Sequence, residues 1–379
     1  MQTAQAILRP PYRRAALEEC RAIVPNLLWV FGAVELLGDP ALQELLDEVL
    51  PGVPRVGCST AGEISRQGVD DHSLVVTAMR VDGGGLQVAS TGFDGLADSH
   101  DAGRRLGEQL QAPGLHNIIT FGQGVDINGS AFIDGLVSVV GRSVQISGGL
   151  AADGGRFECT LVLGPRGATP DQVVALGISN PKLHVGHGSF GGWSPFGPVR
   201  TVTRCDGNLL YELDEEPALD IYRRYLGEYA SDLPASGLLF PFAIVGEDRS
   251  LQGLVRTILG IDEDAGCLKL AGDVPQGGHL QLMHASTDAL VDGAHRAAEA
   301  AAAMLGAQEP GLALLVSCVG RKIMMGARTD EEVEAVTDVL GRNATVAGFY
   351  SNGEISPFVP DQRCRLHNQT MTITCLHEV

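Results

Sequence analysis

The sequence predicts a mixed α/β fold, two lobes of mixed sheets flanked by helices. Three observations carry that expectation. One order of elements, helix-strand-helix-strand-strand, is written three times along the 379 residues. Two phrases of nearly the same grammar, VGCSTAGEIS at 56–65 and AGFYSNGEIS at 347–356, stand near opposite ends of the chain. Hydrophobic residues make up 44% and charged residues 19%, enough for a full core in each of two or three domains.

The first unit opens with a helix over RAALEECRAI (14–23) and a buried strand over NLLWVFGAV (26–34). PALQELLDEVL (40–50) sets Leu42, Leu45, Leu46 and Val49 at helical spacing. PRVGCST and HSLVVTAMRV (72–81) then read as strands. In the second unit, DAGRRLGEQL (101–110) and SAFIDGLVSVV (130–140) are helices, and NIITFGQG (117–124), SVQISGG (143–149) and FECTLVLG (157–164) are strands. In the third, DALVDGAHRAAEAAAAML (288–305) is a helix of strong helix formers. TDEEVEAVTDVLG (329–341) is a helix that starts like a capping box, Thr329 standing three before Glu332. GLALLVSCV (311–319), TVAGFYS and HNQTMTITCL (367–376) are its strands. The two Gly-Glu turns occupy equivalent places after the second strand of a unit; the middle copy, SGGLAADGG, keeps the glycines and loses the Glu. Between units, GHGSFGGWSPFGPV (186–199) fits neither period and reads as a loop or linker. After it, Asp206-Gly207 marks a hairpin, Pro217 falls in the first turn of a helix, and 254–272 reads as a second hairpin.

A formal net charge of −19 and a pI near 4.8 disfavour nucleic acid and anionic membranes as partners. No apolar run reaches the ~20 residues a bilayer span needs, and the N-terminus lacks the pattern of a signal peptide. A cytoplasmic protein is expected. The eight cysteines are scattered through a core-rich chain with no CxxC, so reduced thiols are expected and a disulfide framework is not.

Candidate chemistry is sparse. Gly186, Gly188 and Gly191 match GxGxxG, but Trp193, Pro195 and Pro198 follow where a phosphate-binding helix should open. Glu63 and Glu354 read either as turn carboxylates, solvated or capping nearby amides, or as two carboxylates that duplicated loops present to a ligand. Cys58 and Cys318 have no base nearby in sequence and read as small buried hydrophobes, so no enzyme is expected. His184 and His187 lie three apart in a glycine-rich stretch, and His367 opens the last strand near the second Gly-Glu turn. The spacing of His184 and His187 would suit a metal, but no carboxylate or Cys lies near them in sequence, so each imidazole reads as hydrogen-bonded structure or as an axial haem ligand.

VGCSTAGEIS, HGSFGGWSPFGPVRTVT, GNLLYELDEEPALDIYRRYLG, AGFYSNGEISP and LHNQTMTIT together resemble the FIST family, over about residues 25–376. The resemblance implies a FIST N domain over 1–185 and a FIST C domain over 186–379, and a soluble intracellular ligand-sensing module. LVSCVGRKIMMGARTDEEVEAV and LHNQTMTIT further resemble the family's bacterial nitric-oxide-sensing (NosP) branch, whose members bind haem b. The chain departs from that branch at Asn352, where the resemblance implies a second aromatic. A haem-based sensor of nitric oxide would signal to a separate histidine kinase or cyclic-di-GMP enzyme, since the sequence carries no output domain; a homo-oligomer is compatible with this. Its axial ligand would be His367, then His187, each through Nε2, with Tyr350 as a phenolate alternative and Phe349 in an apolar wall with Met371 and Ile373. The competing expectation is a haem-free sensor of a small, amino-acid-like metabolite. Glu63 and Glu354 would then meet an ammonium group and Arg321 a carboxylate.

Overall fold

The computed structural model describes residues 1–248, 250–306, 308–358 and 363–379, leaving aside the side chains of 235, 252, 253, 358 and 363. Its core is three copies of one unit. The first has strands β1 (Gln2–Leu8), β2 (Leu27–Gly32), β3 (Arg55–Ser59), β4 (Glu63–Ser65), β5 (Gly68–Asp70) and β6 (Leu74–Arg80). The second has β7 (Leu86–Gly92), β8 (Asn117–Gly122), β9 (Gln145–Leu150), β10 (Val162–Gly164), β11 (Gly167–Thr169) and β12 (Gln172–Ile178). The third starts with β13 (Leu183–Phe190). An insertion follows, comprising β14 (Ser194–Asp206), β15 (Leu209–Leu213), β16 (Glu216–Pro217), β17 (Phe242–Val245), β18 (Leu251–Arg256), β19 (Ile258–Asp262), β20 (Cys267–Leu270) and β21 (His279–His284). The third unit then resumes with β22 (Leu312–Cys318), β23 (Thr345–Ser351), β24 (Gly353–Phe358), β25 (Arg363–His367) and β26 (Met371–Glu378).

The three sheets have one strand order: β1-β6-β2-β3-β10-β11, β7-β12-β8-β9-β24-β25 and β13-β26-β22-β23-β4-β5. In each, the unit's second and third strands are a parallel pair and its last strand lies antiparallel beside them. The outer two strands come from another unit. The hairpin that follows β3 joins the third sheet, that after β9 joins the first, and that after β23 joins the second. The repeated phrase is the sequence of that crossing. Gly57, Gly148 and Gly348 sit at one register, opposite Val30, Thr120 and Leu315. A Cβ there would lie 1.8, 1.9 and 1.9 Å from the opposing carbonyl oxygens, so only glycine fits.

The inner faces of the sheets share one core. Its centre is a trio of rings, Phe31, Phe121 and Phe349, with centroids 5.4, 4.9 and 5.8 Å apart, one from each sheet. Helices cover the outer faces: α1 (Glu18–Ala22) and α3 (Pro40–Val49) on the first, α4 (Ser99–Leu110) and α5 (Gly129–Val140) on the second, α7 (Thr287–Met304) and α9 (Thr329–Leu340) on the third. Short helix α2 (Val34–Leu37) follows β2, α8 (Val319–Met325) follows β22, and α6 (Ala218–Leu226) packs on the inserted antiparallel sheet. The fold is thus mixed α/β with helix-flanked mixed sheets, built from the repeated unit read in the sequence.

Three expectations need correction. The strand expected over 367–376 is divided: His367 ends β25, and β26 starts at Met371 in a different sheet. Residues 186–190 end β13 and 194–199 start β14, with a three-residue turn at 191–193 between them, rather than forming one loop. Their glycines answer to packing. A Cβ on Gly186 or Gly188 would meet the carbonyl oxygens of Ala301 and Ala297 at 2.3 and 1.9 Å, because the alanine-rich face of α7 lies directly on the β13 backbone. Nor does Glu332 close a capping box. Arg328 is the N-cap of α9 and no side chain caps it; Thr329 donates instead to the Gly326 carbonyl. The Glu332 side chain turns into the core.

Candidate functional site

The two Gly-Glu carboxylates begin the exchanged hairpins, and both are buried, at 1% and 0% exposure. Neither is a solvated turn carboxylate; each takes the other form of that reading and accepts from a nearby backbone amide. Glu63 Oε2 accepts from the Ser73 amide and hydroxyl, both at 3.0 Å, and Oε1 accepts from Thr60. Glu354 Oε2 accepts from the Thr370 amide at 3.1 Å and hydroxyl at 3.0 Å, and Oε1 from Ser351 Oγ at 2.6 Å. Each carboxylate therefore ties the start of a hairpin to the residue just before its unit's last strand. In the second unit Val162 takes the same register, and Gln172 Nε2 donates to the Val162 and Gly167 carbonyls at 2.7 Å. Burial raises both carboxyls, Glu354 to about 8. Glu63 edges a polar cavity of about 320 Å³ with Asp71, His72, Asp153, Arg156 and Lys322. Lys322 Nζ donates to the Ala61 carbonyl at 2.8 Å and pairs with Asp71. Glu354 is not part of that lining.

Arg321 is also buried. It pairs with Glu332 through Nε at 2.8 Å and through Nη2. Its remaining donors reach the Gly191 carbonyl and, at 2.8 Å, that of Leu290. Ser317 Oγ and Tyr350 Oη donate to Glu332 Oε2 at 3.1 and 2.9 Å. Burial, then the Glu332 charge, pushes the Tyr350 phenol well up, away from phenolate. Phe349 lies in the central ring trio, and Met371 and Ile373 lie under α7 and α9.

The two candidate histidines are both buried strand residues, and burial lowers each to about 4, so both are neutral near pH 7. His187 Nε2 donates to Asn117 Oδ1 at 3.0 Å and Nδ1 accepts from Thr374 at 3.4 Å, inside the fold. His367 lies opposite Glu354 in the β24·β25 pair. Its Nε2 contacts the Ser356 carbonyl at 3.2 Å. A carbonyl only accepts, so Nε2 carries a proton. That differs from the expected ligation through Nε2.

His367 stands in the wall of a cavity of about 980 Å³ between the third unit and the inserted sheet. Phe190 and Trp193 come from the end of β13 and the turn after it, Arg296, Glu299 and Ala300 from α7, and Ala243, Leu251, Val255 and Met283 from the insertion. Trp193 Nε1 donates to the Gln369 carbonyl at 2.8 Å, which fixes the indole in the wall. The Arg296 guanidinium lies 3.9 Å over the Phe190 ring. The volume lies at the upper end of ordinary ligand sites and the wall is mostly apolar. Of the sequence-picked residues, this cavity takes His367 alone. Trp193 and Arg296 were missed as site residues; the Gly-Gly-Trp that breaks the strand pattern was the available signal for Trp193, and a basic residue on an alanine-rich helix gives none. Among the described residues no cluster of three His, Cys, Asp or Glu could hold a metal ion, and no helix is long and apolar enough to cross a membrane.

Residues 26–216 match the FIST N domain and residues 218–357 the FIST C domain. The chain belongs to the FIST family. Its architecture is that of a FIST sensory, ligand-binding domain. The FIST N match takes in the first unit from β2 on, the second unit, β13 and the opening hairpin of the insertion; the FIST C match takes in the rest of the insertion and the third unit as far as β24. No curated protein matches the chain. Among solved structures, a cyanuric acid hydrolase from A. caulinodans is similar over 100% of this chain and 98% of its own, at 11% identity and a TM-score of 0.38.

Proposed function

We propose that this FIST protein is a haem-based nitric oxide sensor that regulates a separate histidine kinase or cyclic-di-GMP enzyme and has no catalytic activity of its own. The observation that carries the reading is a single histidine, His367, in the wall of the large, mostly apolar cavity. The wall suits a flat apolar macrocycle: Phe190, Trp193, Leu251, Val255 and Met283 would face it, and Arg296 offers a cation to its carboxylates. His367 would hold the iron. Its Nε2–H bond to the Ser356 carbonyl is the outer contact that orients ligating histidines and fixes their tautomer. Haem, when bound, supplies the iron centre to which nitric oxide binds. The chain's own residues set what that binding moves, because the wall joins α7 to the inserted sheet and any shift of the site must repack that junction. The absence of catalysis is supported by Cys58 and Cys318, whose thiols burial holds well above the thiolate range.

The test is an absorption spectrum of purified protein reconstituted with haem, then exposed to nitric oxide. His367→Ala is expected to weaken haem uptake or shift the Soret band with the far-ultraviolet dichroism unchanged; His187→Ala is expected to do less. A wild-type protein that takes up no stoichiometric haem sinks the reading. A haem-free sensor of an amino-acid-like metabolite then stands. It is favoured by the polar cavity at Glu63, where a carboxylate and the cations Lys322 and Arg156 stand together as the two ends of an amino acid would require. A colourless protein whose melting temperature rises with one amino acid would support it.

A further inference from the structure

A third cavity, of about 300 Å³, lies where α5 and β25 meet the inserted sheet. Among the described residues, three guanidiniums border it, those of Arg142, Arg256 and Arg365, with the carboxylate of Asp134. This is a concentration of positive charge in a chain whose net charge is −19. Arg256 is the decisive member. It is 5% exposed, yet its hydrogen bonds go to backbone carbonyls: Nε to Asp273 at 3.0 Å, Nη1 to Val255 at 3.1 Å and to Leu366 at 3.4 Å. Burial, opposed by the field of Asp273 and assisted by that of Arg365, lowers it to about 10. A buried cation ordinarily sits against a carboxylate, as Arg321 does here. The fold also keeps space for this one: a Cβ on Gly272 would lie 2.9 Å from Arg256 Nε and 3.1 Å from Cζ.

We propose that Arg142, Arg256 and Arg365 bind a small phosphate-class oxyanion, free or as a monoester, in this cavity. Guanidiniums on three separate segments approach from different directions. A tetrahedral oxyanion can accept from all of them, whereas a planar carboxylate matches a single fork. Ser130 on α5 adds a hydroxyl to the lining. The volume exceeds that of the anion itself and leaves room for an ester substituent. An occupant would clamp β18 of the insertion to β25 and α5 of the core.

Isothermal titration with inorganic phosphate, against chloride at matched ionic strength, tests the proposal on the full chain. One saturable site is expected, weakened at least ~10-fold by Arg142→Gln and abolished by Arg256→Gln. Arg342→Gln, on the corresponding turn of the third unit, should bind as wild type. Should Arg256→Gln fail to fold, Arg142→Gln and Arg365→Gln decide. Phenyl phosphate binding more tightly than phosphate identifies a monoester as the occupant; the reverse order identifies the free ion, and either upholds the site. Absence of saturable binding by both probes, or wild-type affinity in both Arg142→Gln and Arg365→Gln, overturns it.

Discussion

Glu354 illustrates what a carboxylate does when, among the described residues, its hydrogen bonds come from two hydroxyls and an amide. Burial raises its carboxyl from 4.5 to about 8, so the folded protein holds a proton there that the unfolded chain has released. Its contribution to stability is full below about pH 4.5 and is lost as pH rises through about 8. His187 and His367 are lowered from 6.5 to about 4, so their stability contribution is lost as pH falls through that range. Above pH 6.5 the histidines contribute little change, and the raised thiols add their own decline toward the upper end, so Glu354 is read across pH 6.5–8.5 from the difference between wild type and its variant. Urea unfolding is expected to show stability declining across that range, toward a total on the order of a few kcal/mol, and Glu354→Gln is expected to flatten the decline. An unchanged slope in the variant would refute the assignment. The Arg321–Glu332 pair makes a second residue-scale prediction. Glu332→Ala leaves a buried guanidinium, the Tyr350 phenol and the Ser317 hydroxyl without their acceptor. It should cost about 3–5 kcal/mol in the same assay, and Arg321→Met/Glu332→Leu should cost less than either single change. The sequence made the Gly-Glu repeat visible, but burial was not. A carboxylate after glycine in a polar phrase has the same appearance whether it faces water or an adjoining strand. Arg321 looked available for a ligand because its partner lies on another helix and was read as part of a cap.

At the scale of elements, the periodic segments were legible and the contacts between them were not. The helices at 40–50, 101–110, 130–140, 288–305 and 329–341 are present to within two residues at each end, and the hairpins at Asp206-Gly207 and within 254–272 form as read. The strand at 2–8 and the helix at 319–325 went unread: the first was passed over as a terminus, and the second directly continues an apolar strand run. Residues 186–199 went wrong for an instructive reason. Glycine density signals a loop when glycine supplies unusual dihedrals, but Gly186 and Gly188 supply the absence of a side chain beneath α7. The same logic applies at the crossing points. Gly348→Ala would place a methyl 1.9 Å from the Leu315 carbonyl oxygen, in a parallel pair buried on both faces. The backbone cannot yield without parting β22 from β23, so a loss of about 3 kcal/mol or more is expected in thermal unfolding. Gly52→Ala, in an open turn at positive φ with nothing within 4 Å, should cost only about 1 kcal/mol. If the two variants unfold together, the close-approach argument fails.

The whole molecule is a closed exchange. Each unit's hairpin completes another unit's sheet, so no unit has a finished sheet alone, and all three inner faces contribute to one ring-centred core. The insertion stands outside this exchange. It has its own sheet and core, and it enters and leaves the third unit at Ser194 and His284, which face one another in the β14·β21 pair. Because those ends meet, residues 195–283 can be replaced by a two-residue Asn-Gly turn without stretching the chain. The shortened protein keeps the three-unit core and loses Ala243, Leu251, Val255 and Met283 from the large cavity. It also loses the bond from Gln369 to the Leu238 carbonyl and that from Arg256 to the Leu366 carbonyl. It should therefore unfold in one cooperative transition, less stable than the full chain by a few kcal/mol (about one to two lost buried hydrogen bonds plus newly exposed apolar surface). Its haem affinity should fall at least ~100-fold, since half of the apolar wall is gone. Circular dichroism and haem titration read the two outcomes separately. A chain that does not fold would mean the insertion is part of the exchange after all, and a folded chain with undiminished haem affinity would move the site away from His367.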